Sequence, residues 1–425
     1  MRSKLLISLL AATCCISANA HEIGQEHEHV EGGWNAKAGF VSDTDHTAKL
    51  FNTRGKSEEI IMKRARWLAN QYDAKRTPKQ QARAALAHEK YQNAIAINSL
   101  LPSSVGIVGN TYESFTKGVT RNIDAGMTLA SGTVYAFPAA IPEGKTVYDV
   151  VNDSDEVIRD LGLIKVETVA DIRRAKESGT MGVMYNAQAA DYVAEDPEHH
   201  AEKSYEAGIR TINFVYNNNN VLSGGSLKQD MGLTEFGKRW VRAAQTAKIV
   251  VDVSHSSNQA AIDTAKIATK PIMATHSNAL SIFDNPRNAS DEALKAVAST
   301  GGVVCPTGVG LFLNEEADAS PERYVEHLVY ISDLIGRDRV CYSTDYVHNI
   351  YEFYKRDLAK TDIYPPEEGF GGATSNIAAE NIWDVVAILE DEHGWLEDEI
   401  IGFLGENLLR VYEANWDASL AELPR

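Results

Sequence analysis

Cysteine is scarce in this chain: its 425 residues contain four, Cys14, Cys15, Cys305 and Cys341. A chain of this length with so few cysteines is not held together by a disulfide framework. Cys14 and Cys15 lie in an N-terminal segment that we expect to be removed, which leaves Cys305 and Cys341 in the mature chain. These two could pair in an oxidising compartment, but buried free thiols are the favoured interpretation.

Long apolar runs and positive charge are also lacking. No stretch approaches the roughly 20 apolar residues that a membrane-spanning helix needs. Lys and Arg number 41 against 59 Asp and Glu, which gives a formal charge of −18. Because an acidic surface repels phosphate backbones, we expect no nucleic-acid partner, and we expect no transmembrane segment. The 44% of hydrophobic residues is typical of a globular protein with a large core.

The first 20 residues have the three parts of a secretory signal peptide. Arg2 and Lys4 precede a short apolar run at 5–16, and the sequence SANA at 17–20 supplies a cleavage signal. We therefore expect an exported protein, periplasmic or secreted, whose mature chain has 39 basic against 59 acidic residues and a charge of −20. A polar extension would follow over residues 21–56, and helical spacing predicts a helical preface over 57–92.

Beyond residue 92, short apolar runs alternate with amphipathic segments. Eight runs are found, at 93–99, 127–135, 180–188, 211–216, 248–255, 271–276, 301–308 and 339–345. Helical periodicity between them is clearest at 168–178, 233–247, 258–269 and 290–300. Continuous apolar strands followed by helices indicate a covered parallel sheet, and eight such units predict a (β/α)8 TIM barrel over residues 93–425, with a C-terminal helix. A doubly wound open sheet is the alternative, weakened by the lack of a G-x-G-x-x-G motif after the first strand.

In such a barrel the active site forms where the strands end. His255 ends the fifth run, His276 ends the sixth and Asp345 ends the eighth. Two imidazoles on adjacent strands, with a carboxylate in the same ring, form a ligand set that suits Zn²⁺, which can polarise a carbonyl and activate water. The pattern favours a metal or catalytic site over structural histidines.

Several motifs, in order, carry a resemblance to a known family. They are VDVSH, ATHSNA, DNPRNASDE, GGVV, a strand ending in TDY, and the terminal GENLLRVYEANW. In this combination the chain closely resembles the membrane dipeptidases, also called renal dipeptidases, from about residue 93 to the C-terminus. The resemblance implies an amidohydrolase-like barrel and zinc-dependent hydrolysis of dipeptides or small peptide-like amides. Because the family often forms dimers, it also makes a homodimer a candidate assembly.

The resemblance implies a metal site as well. His255 and His276 match the two histidines that hold one zinc ion in the family. Asp345 matches the carboxylate that binds the other zinc ion and acts in proton transfer, which makes it the candidate catalytic residue.

Substrate recognition is implied at three further positions. Arg287 matches the residue that engages the C-terminal carboxylate of the substrate, a role that suits a planar guanidinium. Tyr216 stands where the family often has a substrate-binding His, and as a catalytic or binding residue it could donate a hydrogen bond to an oxyanion. Asn219, in the polar run that follows, is a further substrate-binding candidate.

Three family ligands are replaced in this chain. Asn98 and Leu100 stand where the first strand normally carries His-x-Asp, and Gln188 stands where a carboxylate normally bridges two zinc ions. A neutral amide is a weak ligand, and two adjacent dications without a bridging carboxylate would repel each other. We therefore predict at most one metal, held by the two histidines, with Asp345 or Gln188 and water completing the coordination.

Three functions remain open from the sequence. The first is a one-metal dipeptidase-like hydrolase with Asp345 as general base. The second is a catalytically impaired barrel that serves as a binding protein, because fold does not fix function. The third is a metal-free enzyme that modifies a peptide-like natural product.

Overall fold

The computed structural model describes residues 57, 59, 77–102, 112–193, 196–227, 231–317, 319–348, 363–365, 370 and 374–416. The predicted signal peptide and polar extension, and most of the first part of the helical preface, lie outside these residues.

One parallel sheet forms the centre of the fold. Its strands are β1 Ile97–Leu101, β2 Leu129–Tyr135, β3 Ile164–Lys165, β4 Gly182–Ala187, β5 Ile209–Asn213, β6 Val250–Asp252, β7 Met273–Ala274 and β8 Val303–Val304. The strands lie in the order β1-β2-β4-β5-β6-β7-β8, and β3 pairs with β4 beside this path. Every residue of β2 and β4 is buried, which explains why these strands are continuously apolar in sequence rather than alternating.

Helices connect and cover the strands. They are α1 Pro78–Tyr91, α2 Tyr112–Asp124, α3 Val147–Asp160, α4 Val169–Ser178, α5 Pro197–Glu206, α6 Glu235–Thr246, α7 Asn258–Ile267, α8 Asp291–Ser299, α9 Gly310–Leu313, α10 Pro321–Ile335, α11 Ile382–His393, α12 Glu397–Ile401 and α13 Asn407–Trp416. Short 3-10 turns occupy Pro138–Ala140, Asp191–Val193, Arg337–Arg339 and Ala379–Asn381, and a π-helical turn spans Gly402–Glu406. None of the described helices combines the length and the apolar character that crossing a bilayer requires.

Hydroxyl side chains explain where several helices begin. Thr77, Thr146 and Thr168 each accept a hydrogen bond from the backbone N–H of the third helical residue, whose own side chain bonds back to the cap. Such reciprocal caps satisfy N–H groups that have no partner inside the helix. Thr168 places the start of α4, and Ser257 and Ser290 cap α7 and α8, so the predicted helices at 168–178, 258–269 and 290–300 begin within one residue of the observed ones.

Segment 340–345 joins the two edges of the sheet. On one side Val340 pairs in parallel with Val304 of β8. On the other side the Ser99 N–H of β1 donates to the Tyr342 carbonyl at 3.0 Å. With this segment, the curled sheet has eight members in chain order, so the predicted (β/α)8 architecture is confirmed, and β3 is an additional short strand that the sequence did not indicate.

The inside of the curled sheet is packed with side chains rather than open. Residues from strands all around the ring meet in one apolar cluster: Ile97, Leu129, Met184, Val250, Met273 and Val303. Helix α13 contributes Leu408, Tyr412 and Trp416 to the same cluster. Side chains from opposite strands can share a cluster only because the sheet curls, and the C-terminal helix thereby covers the end of the barrel remote from the strand ends.

The described part of the helical preface packs against the barrel. Helix α1 joins α11 through ion pairs from Arg83 to Asp391 and Glu392, both at 3.0 Å, and from Lys90 to Glu390 at 2.5 Å. Beside these exposed pairs, which stabilise little by themselves, Ala84, Ala87 and Tyr91 are buried in the main core. Apolar packing therefore makes α1 an integral layer of the same domain.

Cys305 and Cys341 form a disulfide, so the preference for buried free thiols was wrong. Cys305 directly follows β8, and Cys341 lies in the closing segment beside it. Parallel pairing of these neighbours puts the two Cα atoms 4.5 Å apart, within the range that a disulfide needs. A sequence separation of 36 residues gave no sign of this proximity.

We expect the disulfide to contribute to stability mainly by restricting the unfolded chain. For a loop of this length the chain-entropy model gives about 3–4 kcal/mol. The double variant Cys305→Ala/Cys341→Ala should therefore lose about that much unfolding free energy in urea. Thiol labelling of the denatured wild-type mature chain should find no free thiol; two labelled thiols per chain would contradict the pairing.

His327 of α10 is a buried structural histidine. Its Nδ1 accepts the Ala279 N–H at 3.2 Å, and its Nε2 lies 2.9 Å from the Leu313 carbonyl, to which it donates. Burial lowers the pKa of His327 from 6.5 to about 4. The neutral ring thus joins α10 to the loop that contains Ala279 and to Leu313, the last residue of α9.

This depressed pKa predicts acid sensitivity in a defined window. Between pH 6.5 and 4 the unfolded chain takes up a proton at His327 that the folded chain does not, so stability falls as the pH is lowered through this range. The group accounts for about 2–3 kcal/mol between pH 7 and 4.5. In urea unfolding, the advantage of wild type over His327→Gln should shrink by this amount on acidification, whereas a pH-independent difference would argue against it.

Candidate active site

Five predicted side chains follow different members of the ring at its carboxyl edge. Gln188 follows β4, Tyr216 follows β5, His255 follows β6, His276 follows β7, and Asp345 ends the closing segment. Because all these strands are parallel, their ends meet on one side of the sheet. The structure therefore places these residues on the face where barrel enzymes have their active sites.

The two histidines lie in direct contact. Nε2 of His255 is 2.7 Å from Nε2 of His276 and 3.1 Å from Oε1 of Gln188. All three residues are at most 5% exposed. Burial, together with the positive charge of Arg287, lowers the pKa of both histidines well below its usual value, so both rings are neutral.

Asn217 defines the proton position on His255. Nδ1 of the ring is 2.7 Å from Oδ1 of Asn217, while the Asn217 amide nitrogen donates to the Ile363 carbonyl at 3.2 Å. The amide oxygen therefore accepts, and Nδ1 of His255 carries the hydrogen. In a neutral imidazole this leaves a lone pair on Nε2.

Thr275 and Asp252 define the proton position on His276. The Thr275 hydroxyl donates to Oδ2 of Asp252, and its oxygen lies 2.7 Å from Nδ1 of His276. Because the single hydroxyl proton is directed to Asp252, the oxygen accepts from the ring, and Nε2 of His276 also holds a lone pair. Burial raises the pKa of Asp252, while hydrogen bonds from Thr275 and from the backbone of Ser254 and Thr275 lower it.

Gln188 is oriented by a third network along β2 and β4. Its amide nitrogen donates to the Thr133 hydroxyl oxygen at 3.0 Å, and that hydroxyl donates to Oδ1 of Asn186 at 3.0 Å. The Asn186 amide in turn donates to the backbone carbonyl and the hydroxyl of Ser131. Oε1 of Gln188 is therefore the end that faces His255.

Three acceptor atoms thus converge without a hydrogen between them. Lone pairs on two imidazole nitrogens and one amide oxygen repel each other unless a cation lies among them. Two nitrogens and one oxygen are a donor set that zinc accepts, although the two nitrogens would have to separate by roughly half an ångström to reach zinc-ligand spacing. The residues fit one metal ion.

The set contains no carboxylate. Among the described residues, no group of three His, Cys, Asp or Glu side chains is arranged to hold a metal. Of the two predicted completing ligands, the structure brings Gln188 to the histidines and places Asp345 elsewhere in the site.

Asp345 lies within the electrostatic influence of Arg287. Burial raises the pKa of the Asp345 carboxyl to about 6, while the Arg287 charge and a long 3.4 Å hydrogen bond from Thr307 oppose the rise. Its backbone is left-handed, with φ 51°, and its carbonyl accepts a 3.0 Å hydrogen bond from Asn376. The carboxylate is thus partly buried, and it is a stronger base than an ordinary Asp.

Arg287 is a buried cation with an incomplete set of partners. It is 4% exposed, and its Nε has no hydrogen-bond partner among the described residues. The guanidinium lies 5.3 Å above the Phe312 ring, and burial lowers the pKa of Arg287. A planar cation held in this way is suited to an anionic ligand such as a carboxylate.

Tyr216 lies over His255. The two rings stack with centroids 4.1 Å apart, and the Tyr216 hydroxyl is 3.0 Å from that of Tyr364. Asn219 is not brought to this group: it is exposed, and its Oδ1 accepts the Gly225 N–H at 2.9 Å. In the same polar run, the residue that reaches the histidines is Asn217.

The end of the first strand supplies structural contacts. The Asn98 amide nitrogen donates to Asn122 and to the Thr344 hydroxyl, both at 3.0 Å, and its oxygen accepts the Thr344 N–H at 3.2 Å. Leu100 is 1% exposed. Asn98 therefore ties β1 to the closing segment, and the positions that would carry His-x-Asp in the family are occupied by an engaged amide and an apolar side chain.

Known proteins share sequence with this chain. Residues 148–358 match the family described as membrane dipeptidase, peptidase family M19. An uncharacterized protein in the pqqA 5′ region of Klebsiella pneumoniae is 30% identical over 191 residues, which are 42% of this chain and 70% of that protein. This chain belongs to the membrane dipeptidase family. The members of this family are zinc-dependent hydrolases, and the site is compared with that chemistry below.

Solved structures show the same architecture. An amidohydrolase from Pseudomonas aeruginosa is 26% identical with a TM-score of 0.66, covering 78% of this chain and 99% of that one. The probable dipeptidase PvdM from the same organism, at 18% identity, has a TM-score of 0.63 over 79% of this chain and 99% of its own, which is a likeness of fold. Both support the amidohydrolase-like barrel.

We predict that the charge of the third donor sets metal affinity. Gln188→Glu should bind zinc at least about tenfold more tightly than wild type, because a carboxylate replaces a neutral amide, and Gln188→Leu should bind more weakly. Competition against a chelating dye on metal-free protein measures both, with Asn219→Leu as the control that should match wild type. Equal affinities in all four proteins would remove Gln188 from the metal site.

Proposed function

We propose that this member of the membrane dipeptidase family is an exported, metal-dependent dipeptidase-like hydrolase that acts on dipeptides or small peptide-like amides with one metal ion. One observation carries the proposal. Nε2 of His255 lies 2.7 Å from Nε2 of His276 and 3.1 Å from Oε1 of Gln188, so three acceptor atoms meet at one place. Arg287, which is buried, and Asp345, which is partly buried, supply a group for substrate recognition and a base in the same site.

A single metal follows from the supply of ligands. The described part of the carboxyl edge offers one convergent donor set, and the first-strand position that would help to hold a second ion has Asn98 committed to Thr344 and Asn122. Gln188 cannot bridge two dications with charged oxygens. Bound zinc would supply Lewis-acid polarisation of the scissile carbonyl and a more acidic water.

The remaining steps belong to side chains of the chain itself. Asp345 is ionised at neutral pH because its pKa lies near 6, and it takes a proton from the attacking water more readily than an exposed Asp would. The Tyr216 hydroxyl donates a hydrogen bond to the oxyanion that develops. Arg287 binds the terminal carboxylate of the substrate and so fixes the scissile bond relative to Asp345.

Charge balance favours an anionic substrate. A dication on neutral ligands together with the Arg287 cation is only partly offset by the Asp345 carboxylate. Uncompensated charge in a buried site is costly, so a ligand that brings a carboxylate is bound preferentially. Dipeptides with a free C-terminus meet this requirement.

Export is part of the proposal and has two supports. Residues 1–20 have the pattern of a cleavable signal peptide. The Cys305–Cys341 disulfide is a bond that persists in oxidising compartments such as the periplasm or the exterior.

The 2.7 Å separation of the two Nε2 atoms favours a second candidate, a metal-free protein. That distance suits a hydrogen bond, so a proton could occupy the position of the metal without any movement. Such a protein would bind peptide-like compounds, or modify them with Tyr216 and Asp345, without metal-dependent hydrolysis.

Metal content and hydrolysis of the mature chain distinguish the candidates. We expect about one zinc ion per chain by elemental analysis, hydrolysis of a dipeptide panel, and loss of activity with chelator. His276→Ala should lose at least about a hundredfold in kcat/KM, because a metal ligand is removed. His199→Ala, an exposed histidine on α5, is the matched control and should retain wild-type activity.

Two results would overturn the proposal. Two tightly bound zinc ions per chain would contradict the one-metal site. Dipeptide hydrolysis that survives both chelation and His276→Ala would favour the metal-free candidate.

A further inference from the structure

Side chains that do not touch the metal position determine which nitrogen each imidazole offers. Asn217 is fully buried, and its amide is engaged at both ends, by His255 on the oxygen and by the Ile363 carbonyl on the nitrogen. Rotating the amide by half a turn would place two oxygens against each other at Ile363. The orientation of Asn217 is therefore fixed by Ile363.

Asp252 has the same effect on His276 through Thr275. Its Oδ1 accepts backbone N–H groups from Ser254 at 2.9 Å and Thr275 at 3.1 Å, which leaves Oδ2 for the Thr275 hydroxyl. As a carboxylate, Asp252 accepts from all three donors, and the Thr275 hydroxyl proton is then directed to Oδ2. The Thr275 oxygen can then only accept from His276.

A change of tautomer at either ring would remove a ligand atom. If Nε2 of one imidazole carried the hydrogen, it would donate to the other Nε2 at 2.7 Å, and the pair would satisfy itself without a metal. The buried partner of the changed ring, Asn217 for His255 or Thr275 for His276, would then face a ring lone pair with an unpaired acceptor. Leaving a buried polar group unpaired costs about 1–3 kcal/mol, so the networks oppose this change at both rings.

We propose that Asn217 and the Asp252–Thr275 pair are positioning residues that hold both imidazoles in the Nδ1–H tautomer and so keep two Nε2 lone pairs directed at one cation. The metal role in this proposal rests on the proposed function. The tautomer assignment rests on hydrogen bonds alone and can be tested without metal.

The first test reads tautomers in the metal-free mature protein by long-range ¹H–¹⁵N correlation spectra of the histidine rings. Wild type and Thr275→Ser, which keeps the hydroxyl, should show His276 protonated on Nδ1. Thr275→Val, which has the same shape without a hydroxyl, should shift His276 to the Nε2–H form. Asn217→Gly, which keeps the left-handed backbone, should do the same at His255.

The second test measures zinc affinity by competition with a chelating dye. Thr275→Val and Asn217→Gly should each weaken binding by about 10–100-fold, the usual effect of removing an outer partner of a metal-bound histidine. Thr275→Ser should stay within a few-fold of wild type. If Thr275→Val does not fold, as judged by circular dichroism, Asn217→Gly carries both measurements.

The outcomes separate this proposal from the proposed function. Unchanged tautomers in Thr275→Val and Asn217→Gly overturn the positioning role, whatever the enzyme does. If the two variants show the predicted tautomer changes but the wild-type protein binds no zinc, the positioning of the rings is confirmed and the metal-dependent hydrolase is rejected. Changed tautomers with unchanged zinc affinity would overturn the proposed link to metal binding.

Discussion

Hydrogen bonds between segment 340–345 and the two edges of the sheet close the ring on which the site is built. Without the pairing of Val340 with β8 and of Ser99 with Tyr342, the sheet would be open, and Asp345 would lie at a free edge. With it, β1 and the closing segment become neighbours, and the ends of β4, β6 and β7 face Asp345 across one rim. The Asn98 amide and the Cys305–Cys341 bond strengthen the same closure from its two sides.

The rim that results is polar but poor in negative charge. Its three convergent atoms come from neutral side chains, and the Asp345 carboxylate lies within the electrostatic influence of the Arg287 cation. Each neutral side chain is kept in register by a separate network, through Asn217, through Thr275, and through Thr133 with Asn186. Hydrogen bonds thus orient the three donor side chains here, whereas paired charges orient the donors in a carboxylate-rich metal site.

Local signals made most of the fold predictable. The ring strands appear in sequence as apolar runs, and caps such as Thr168 and Ser257 mark helix starts, so residue type and spacing were sufficient. The short strand β3, with two residues that are only partly buried, carries no such signal. The disulfide was missed because it depends on which strands become neighbours, a property of closure rather than of the sequence around either Cys.

The site was predictable to the level of strand ends. His255, His276, Gln188, Asp345 and Tyr216 follow ring members, and that position is visible in the sequence. The hydrogen-bond partner of each side chain is not visible in the sequence. Asn217 and Asn219 are two residues apart in one polar run, and the path of the backbone directs the first to His255 and the second to Gly225. A left-handed turn at Asn217, which Asn tolerates better than most residues, is the one feature that residue type could have suggested.

Left-handed backbone at Asn217, His255 and Asp345, with φ of 61°, 66° and 51°, also bears on how such a chain can change over evolutionary time. For His and Asp this conformation costs about 1 kcal/mol or more relative to Gly. Replacement of either by Gly would relieve the backbone while removing the chemistry. Loss of these two side chains to Gly would therefore relieve backbone strain rather than add to it.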